Sequence, residues 1–261
     1  DYGTDSVRSV LVNAKNGKEI SSSVFYYPRW KKGKYCNAAT NQFRQHPLDY
    51  VEGLEKSIKN ALKTAPKGSA AKVKGIAIDT TGSTPVAVDK TGTPLAMSPK
   101  FAENPNAMFI LWKDHTSIKE ANEITDAATN NDINYLSHMG GIYSSEWYWA
   151  KALHIFRDDA AVKAATYSWV EHCDWMTALM CGTTNPEVLT LGRCATGHKQ
   201  MWNEQWGGFP PNSFFSNIDP LLDGVVDTLN ATTQPSDQVA GKLTPQWAEK
   251  LGLPQSVVVG Y

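Results

Sequence analysis

Apolar and polar positions change period several times along this 261-residue chain. From Val7 to Val12 apolar residues are frequent, Asn16-Gly17 follows, and Glu19 to Tyr27 is a second run rich in Ser, Val and Tyr. Asn-Gly between two such runs predicts a tight hairpin, because both central residues tolerate positive φ. Past a polar, basic stretch from Trp30 to Asn41, Pro47 and Asp49 introduce a helical pattern. Val51, Leu54, Ile58 and Leu62 recur at three- and four-residue steps with lysines between, until Pro66-Lys67-Gly68 stops the helix. The run "VKGIAID", residues 73–79, predicts a buried strand closed by a polar loop, and Thr91-Gly92 predicts another hairpin turn.

The second half is mainly helical in pattern. Ile118, Ala121 and Ile124 mark one helix, and Ser144, Ser145 and Glu146 predict the cap of the next. Val162, Ala165, Trp169, Cys173, Met176 and Met180 keep helical spacing, which predicts helix throughout 162–180. "LTPQWAEKLGL" predicts a short helix with Pro245 in its first turn, and "SVVVG" a closing strand. Strands at both ends with helices between, and no internal repeat, predict a single mixed α/β domain.

Composition narrows the partners. The hydrophobic set makes up 41% and charged residues 20%, enough for a sizeable core. A net charge of −1 without a basic block argues against nucleic acid. No run approaches the length of about 18 apolar residues that a membrane span needs. The four cysteines lack metal-ligand spacing, and Cys173 and Cys181 fall in helical pattern as small apolar residues, so disulfides are not expected. With no signal segment in the polar first residues, the expected location is cytoplasmic.

Four short stretches can carry chemistry. In "DYGTDS", residues 1–6, a turn at Gly3 can bring backbone N–H groups to a phosphate, with hydroxyls from Thr4 and Ser6. Asp1 can hold magnesium through water. A hairpin turn capped by Asp and Ser has the same appearance. "DTTGST", residues 79–84, follows a strand, and Gly82 permits close approach by a small polar molecule; a plain turn is the alternative. Trp112, in "MFILWKDH", can stack on a sugar's C–H face and donate its indole N–H. Lys199, in "GRCATGHKQMW", can donate to sugar oxygens or support developing negative charge. Taken singly, Trp112 suits core packing and Lys199 a solvated face.

In combination the pieces are more specific. "DYGTDSVRSVLV", "QHPLDYVEGL", "GIAIDTTGST", "ENPNAMFILWKDH", "GGIYSSEWYWAKAL", "DWMTALMCG", "RCATGHKQMW" and "LTPQWAEKLGLP" occur in an order that resembles the ribulokinase branch of the FGGY carbohydrate kinases. The resemblance runs from Asp1 to Tyr261 and implies an actin-like ATPase (ribonuclease H-like) α/β fold, a mixed sheet with flanking helices. It covers the first, sugar-binding lobe of a two-lobe kinase, with the nucleotide-binding lobe outside this chain.

The implied reaction is transfer of the γ-phosphoryl of ATP, with Mg2+, to the 5-hydroxyl of L-ribulose in L-arabinose catabolism. Asp1 resembles the metal-associated aspartate, Gly3, Thr4 and Ser6 the ATP phosphate turn, and Gly82, Trp112 and Lys199 the sugar contacts. The family's first strand is expected before Asp1 and its general-base aspartate just beyond Tyr261. That makes the chain a fragment without a catalytic residue of its own, inactive alone, from an enzyme that can form a homodimer.

The chain departs from the pattern at two places. Thr80 stands where an aromatic is usual, and His198 where tyrosine is common, so another ketopentose or polyol is the alternative substrate. Readings of another class are an actin- or chaperone-like ATPase lobe, which would not need the sugar residues, a noncatalytic sugar-binding module, and a scaffold role for the lobe.

Overall fold

The computed structural model describes residues 1–261. The hairpin forms, though not on a two-residue Asn-Gly turn: β1 (Ser6–Val12) pairs antiparallel with β2 (Glu19–Tyr26) across a loop of residues 13–18 closed by the Asn13 amide on Lys18 O, in which Gly17 alone takes a positive φ, 71°. The segment rich in lysine that follows holds α1 (Pro28–Lys31), β3 (Cys36–Asn37) and β4 (Gln42–Gln45). Helix α2 (Pro47–Thr64) begins where proline sets its first turn, and its buried Leu54 and Ala61 lie under the hairpin.

Next come β5 (Gly75–Ile76), β6 (Pro85–Val88), β7 (Phe109–Ile110) and α3 (Ile118–Thr129). They lead to α4 (Tyr148–Asp158), α5 (Ala160–Ala165), β8 (Ser168–Glu171) and α6 (His172–Cys181). The chain continues through β9 (Leu191–Gly192), α7 (Arg193–Lys199), α8 (Asn212–Ile218), β10 (Thr233–Gln234) and β11 (Val239–Lys242). It closes with α9 (Pro245–Leu251) and β12 (Val258–Gly260).

Two hydrophobic cores meet across strands that are buried on both faces. On β6, Val86 and Val88 enter one core and Ala87 the other. Phe109 and Ile110 on β7, and Trp169 and Val170 on β8, split in the same way. Alternation with period two is what lets one strand serve both. One core packs the hairpin, α2, α6 and α9; the other packs α3, α4 and α8 around Trp149 and Phe215.

Four expectations need correction. Residues 162–180 are not one helix: β8 interrupts the stripe and pairs antiparallel with β6, from Pro85↔Glu171 to Val88↔Ser168. An unbroken apolar run fits a doubly buried strand as well as a helix, and the aromatic and β-branched Tyr167, Trp169 and Val170 favour the strand. The run 73–79 is not a buried strand: β5 is two residues long, and 73–79 is half-buried or exposed throughout. Its open side is an apolar groove of about 270 Å³, walled by β1 at Val7 and Val10, floored by Leu54 and Ile58 of α2, and closed by Ile76 and Ile78. The turn at Gly92 returns to a single bridge, Val88↔Pro94, rather than a second strand. Ser144 accepts from the Glu146 amide at 3.1 Å, closing a turn ahead of α4, whose N-cap is Trp147.

The short helix at Pro245, the strand at Val258 and the helix at Ile118 lie where their patterns place them. No helix is long and apolar enough to cross a membrane. The four cysteine sulfurs are unpaired.

Candidate active site

The first turn is built by backbone pairing at both of its ends. The Tyr2 amide donates to Asp79 O at 2.7 Å and the Thr81 amide to Tyr2 O at 3.2 Å, while the Arg8 amide donates to Asp1 O at 2.9 Å. Tyr2 is buried edge-on against Tyr50 and His172, ring centroids 5.6 and 4.9 Å away, which anchors the segment. Between these ladders Gly3 donates to Ser6 O at 2.9 Å, and a Cβ on Gly3 would lie 3.3 Å from that oxygen. The amides of Thr4 and Asp5, at the tip, donate to no protein acceptor. Paired N–H groups at such a tip suit an anion.

The side chains of the turn are partly engaged. Thr4 Oγ1 accepts from the Trp112 indole N–H at 3.0 Å, and the Ser6 hydroxyl donates to Asp5 at 2.8 Å. Asp1 Oδ2 pairs with Arg8 at 2.9 Å, both side chains about half exposed, leaving its other oxygen free.

The loop after β5 faces a cleft of about 370 Å³, lined among others by Asp79, Thr80, Gly82, Glu171, Asp174 and Lys199. Nothing lies within 4 Å of a Cβ placed on Gly82, so this backbone is open to a ligand. The next residues are clamped instead: the Ser83 hydroxyl and the Thr84 amide (2.8 Å) both donate to Glu171. Lys199 ends α7, with its ammonium 3.1 Å from His198 Nδ1 and 5.6 Å from the centre of the Trp147 ring. Burial, then the Lys199 charge, hold His198 below the usual histidine range, so it accepts from Lys199 as a neutral ring.

Gly82 and Lys199 therefore share one cleft. Trp112 is not on its wall. It stands two residues after the end of β7, 38% exposed, and the N–H expected for a sugar hydroxyl goes to the Thr4 hydroxyl. Trp112 so joins the phosphate-type turn rather than Lys199.

Several buried polar groups around the cleft escape pattern reading. Asp174 is buried on α6; its Oδ1 accepts from the Gly192 amide at 2.8 Å and its Oδ2 has no partner. Burial, opposed by that amide, pushes its carboxyl up to about 7. Burial likewise raises Glu171, against the hydrogen bonds of Ser83 and Thr84. Lys151, on α4, is pulled down by burial while the charges of Asp114 and Glu171 push it back. The one sequence signal was Lys151 itself, a lysine set within the apolar run Tyr148–Leu153.

Chemically, the cleft offers an open amide loop, an ammonium and acceptors for hydroxyls, and the adjoining turn offers free amides for an anion.

No protein-family model matches the chain. It is 49% identical over 260 residues to a ribulokinase of Vibrio parahaemolyticus, covering 99% of this chain and 46% of that protein. A ribulokinase of Shouchella clausii is 35% identical over 265 residues, again with 99% and 46% covered. The chain spans about half the length of the curated relatives it matches. Among solved structures, a xylulose kinase from Rhodospirillum rubrum superposes with a TM-score of 0.73 at 16% identity, over 98% of this chain and 46% of that one. A gluconate kinase from Lactobacillus acidophilus gives 0.68 at 15% identity, over 98% and 45%. These structural likenesses establish the fold, the actin-like ATPase fold of sugar kinases.

Proposed function

We propose, on the premise that this chain belongs to the FGGY carbohydrate kinases, that it is the sugar-holding half of an ATP-dependent kinase for L-ribulose. The observation that carries the reading is the backbone exchange between the two loops. Tyr2 donates to Asp79 O and accepts from the Thr81 amide, so the phosphate-type turn and the cleft loop are one rigid unit. Phosphoryl transfer depends chiefly on holding the hydroxyl in line with the phosphate, and a shared framework supplies that.

In this reading the Thr4 and Asp5 amides hold the terminal phosphates, with Gly3 shaping the turn and Ser6 bracing it through Asp5. No group of three or more acidic, histidine or cysteine side chains is placed to hold a metal ion by itself. The free oxygen of Asp1 fits a magnesium ion carried by phosphates and water, which needs only one or two protein carboxylates. Such an ion, when bound, supplies positive charge to the phosphates. The Gly82 loop and Lys199 orient the sugar, while Trp112 adds an apolar face beside Thr4. Tyr261, the last residue, lines the same cleft. The apolar groove between β1 and β5 fits a strand continuing the line of Asp1 and Tyr2. Unpaired thiols suit a cytoplasmic setting.

A second reading, another ketopentose or a polyol, rests on Thr80 and His198, which both line the cleft. Calorimetric titration with L-ribulose, D-ribulose, D-xylulose and ribitol separates the two. The expected result is tightest binding of L-ribulose; tighter binding of any other sugar on the panel moves the assignment to it, and binding of none defeats both.

A further inference from the structure

Lys151 lies in the first turn of α4, between Tyr148, Trp149 and Ala150 before it and Ala152 and Leu153 after it, and is 1% exposed. Its ammonium meets three backbone carbonyls: Ser83 O at 2.8 Å, Leu111 O at 2.7 Å and Ile110 O at 3.4 Å. A lysine ammonium has three N–H donors, so none is left for a ligand. Placing a charge there is costly unless it is fully bonded. The buried Asp114 and Glu171 carboxylates oppose that cost, and Asp114 is itself paired with Arg44.

The carbonyls belong to two segments far apart in sequence. Ser83 directly follows Gly82, and Leu111 directly precedes Trp112. On its other side the Ser83 segment is held by Glu171 through the Ser83 hydroxyl and the Thr84 amide. The Leu111 segment continues through the Trp112 indole to Thr4 Oγ1. One ammonium thus bridges the loop that opens to the cleft and the tryptophan that touches the phosphate-type turn.

We infer that Lys151 is a positioning residue: its three carbonyl contacts hold the Gly82 loop, which opens to the cleft, at a fixed separation from Trp112, which touches the phosphate-type turn, and so place the polyol site relative to that turn without touching the ligand. Its consequence for sugar binding rests on the sugar-kinase reading above; the bridge itself does not.

The test uses the 261-residue chain and two variants, Lys151→Met, which keeps length but has no donor, and Lys151→Arg, which keeps donors. Peptide-resolved hydrogen–deuterium exchange and L-ribulose titration are run on each. In the Met variant, exchange over 80–84 and 111–114 is expected to speed up at least tenfold while the β1–β2 hairpin and α2 keep wild-type rates. L-ribulose affinity falls at least tenfold, and the Arg variant recovers part of both. Should the Met variant not fold, the Arg variant carries the test, with faster exchange confined to the same two segments. Equal acceleration over the whole chain, or unchanged exchange in the two segments, overturns the inference. Localised acceleration in the Met variant, together with a wild-type protein that binds no L-ribulose, upholds the bridge and defeats the sugar reading instead.

Discussion

Asp174 carries a measurable consequence of burial at the scale of one residue. Its carboxyl is raised to about 7 by desolvation, only partly opposed by the Gly192 amide. An aspartate in an unfolded chain titrates near about 3.9. Between about pH 4 and pH 7 the folded state therefore binds more protons than the unfolded one, and stability declines as pH rises through that window. Asp174→Asn keeps an oxygen for the Gly192 N–H and removes the titration. Urea denaturation across that window is expected to show wild type losing about 1 kcal/mol per pH unit relative to the variant at the steepest point. Parallel profiles for the two proteins would contradict this. Asp174 was not visible from spacing, because an acid in the first turn of a helix is the ordinary complement of the helix dipole. Gly82 and Lys199 were legible as a pair only through the order of their motifs. Trp112 drew notice by its type, but its place outside the cleft depends on a hydrogen bond to Thr4 that spans 108 positions, and no local pattern encodes it.

At the scale of elements, local chemistry decided what pattern could foresee. The first hairpin, α2 and α9 announce themselves by Asn-Gly, by Pro47 and by Pro245, each of which constrains the backbone directly. β8 was hidden because burial on both faces erases alternation. The turn after β6 depends on a close approach: Gly92, at φ 78°, would place a Cβ 1.8 Å from Thr184 O. Its carbonyl also accepts from the Trp175 indole at 3.0 Å. Gly92→Ala combines that overlap with a left-handed backbone, and should lower stability by at least about 2 kcal/mol in chemical denaturation; a loss within experimental error would mean that the loop yields freely. The β4–β7 edge is held by Arg44 and Asp114, both buried, with 2.6 Å between them. Asp114 also accepts from the Phe43 amide at 2.7 Å. Removing it as Asp114→Ala strands a buried guanidinium, with an expected cost of about 3–5 kcal/mol by the same measurement.

For the molecule as a whole, doubly buried strands between two cores give a rigid wall on which the turn at Gly3 and the loop at Gly82 are fastened together. In the proposed reading this wall presents amides and a tryptophan to a phosphate, and an open loop and an ammonium to a sugar. The measurement closest to the central claim is L-ribulose affinity, by calorimetry, of wild type against Lys199→Met, a variant that keeps the length of the side chain and discards its charge. Saturable binding weakened at least tenfold by the substitution is the predicted result. Equal affinity in the two proteins would remove the sugar from the cleft between Gly82 and Lys199.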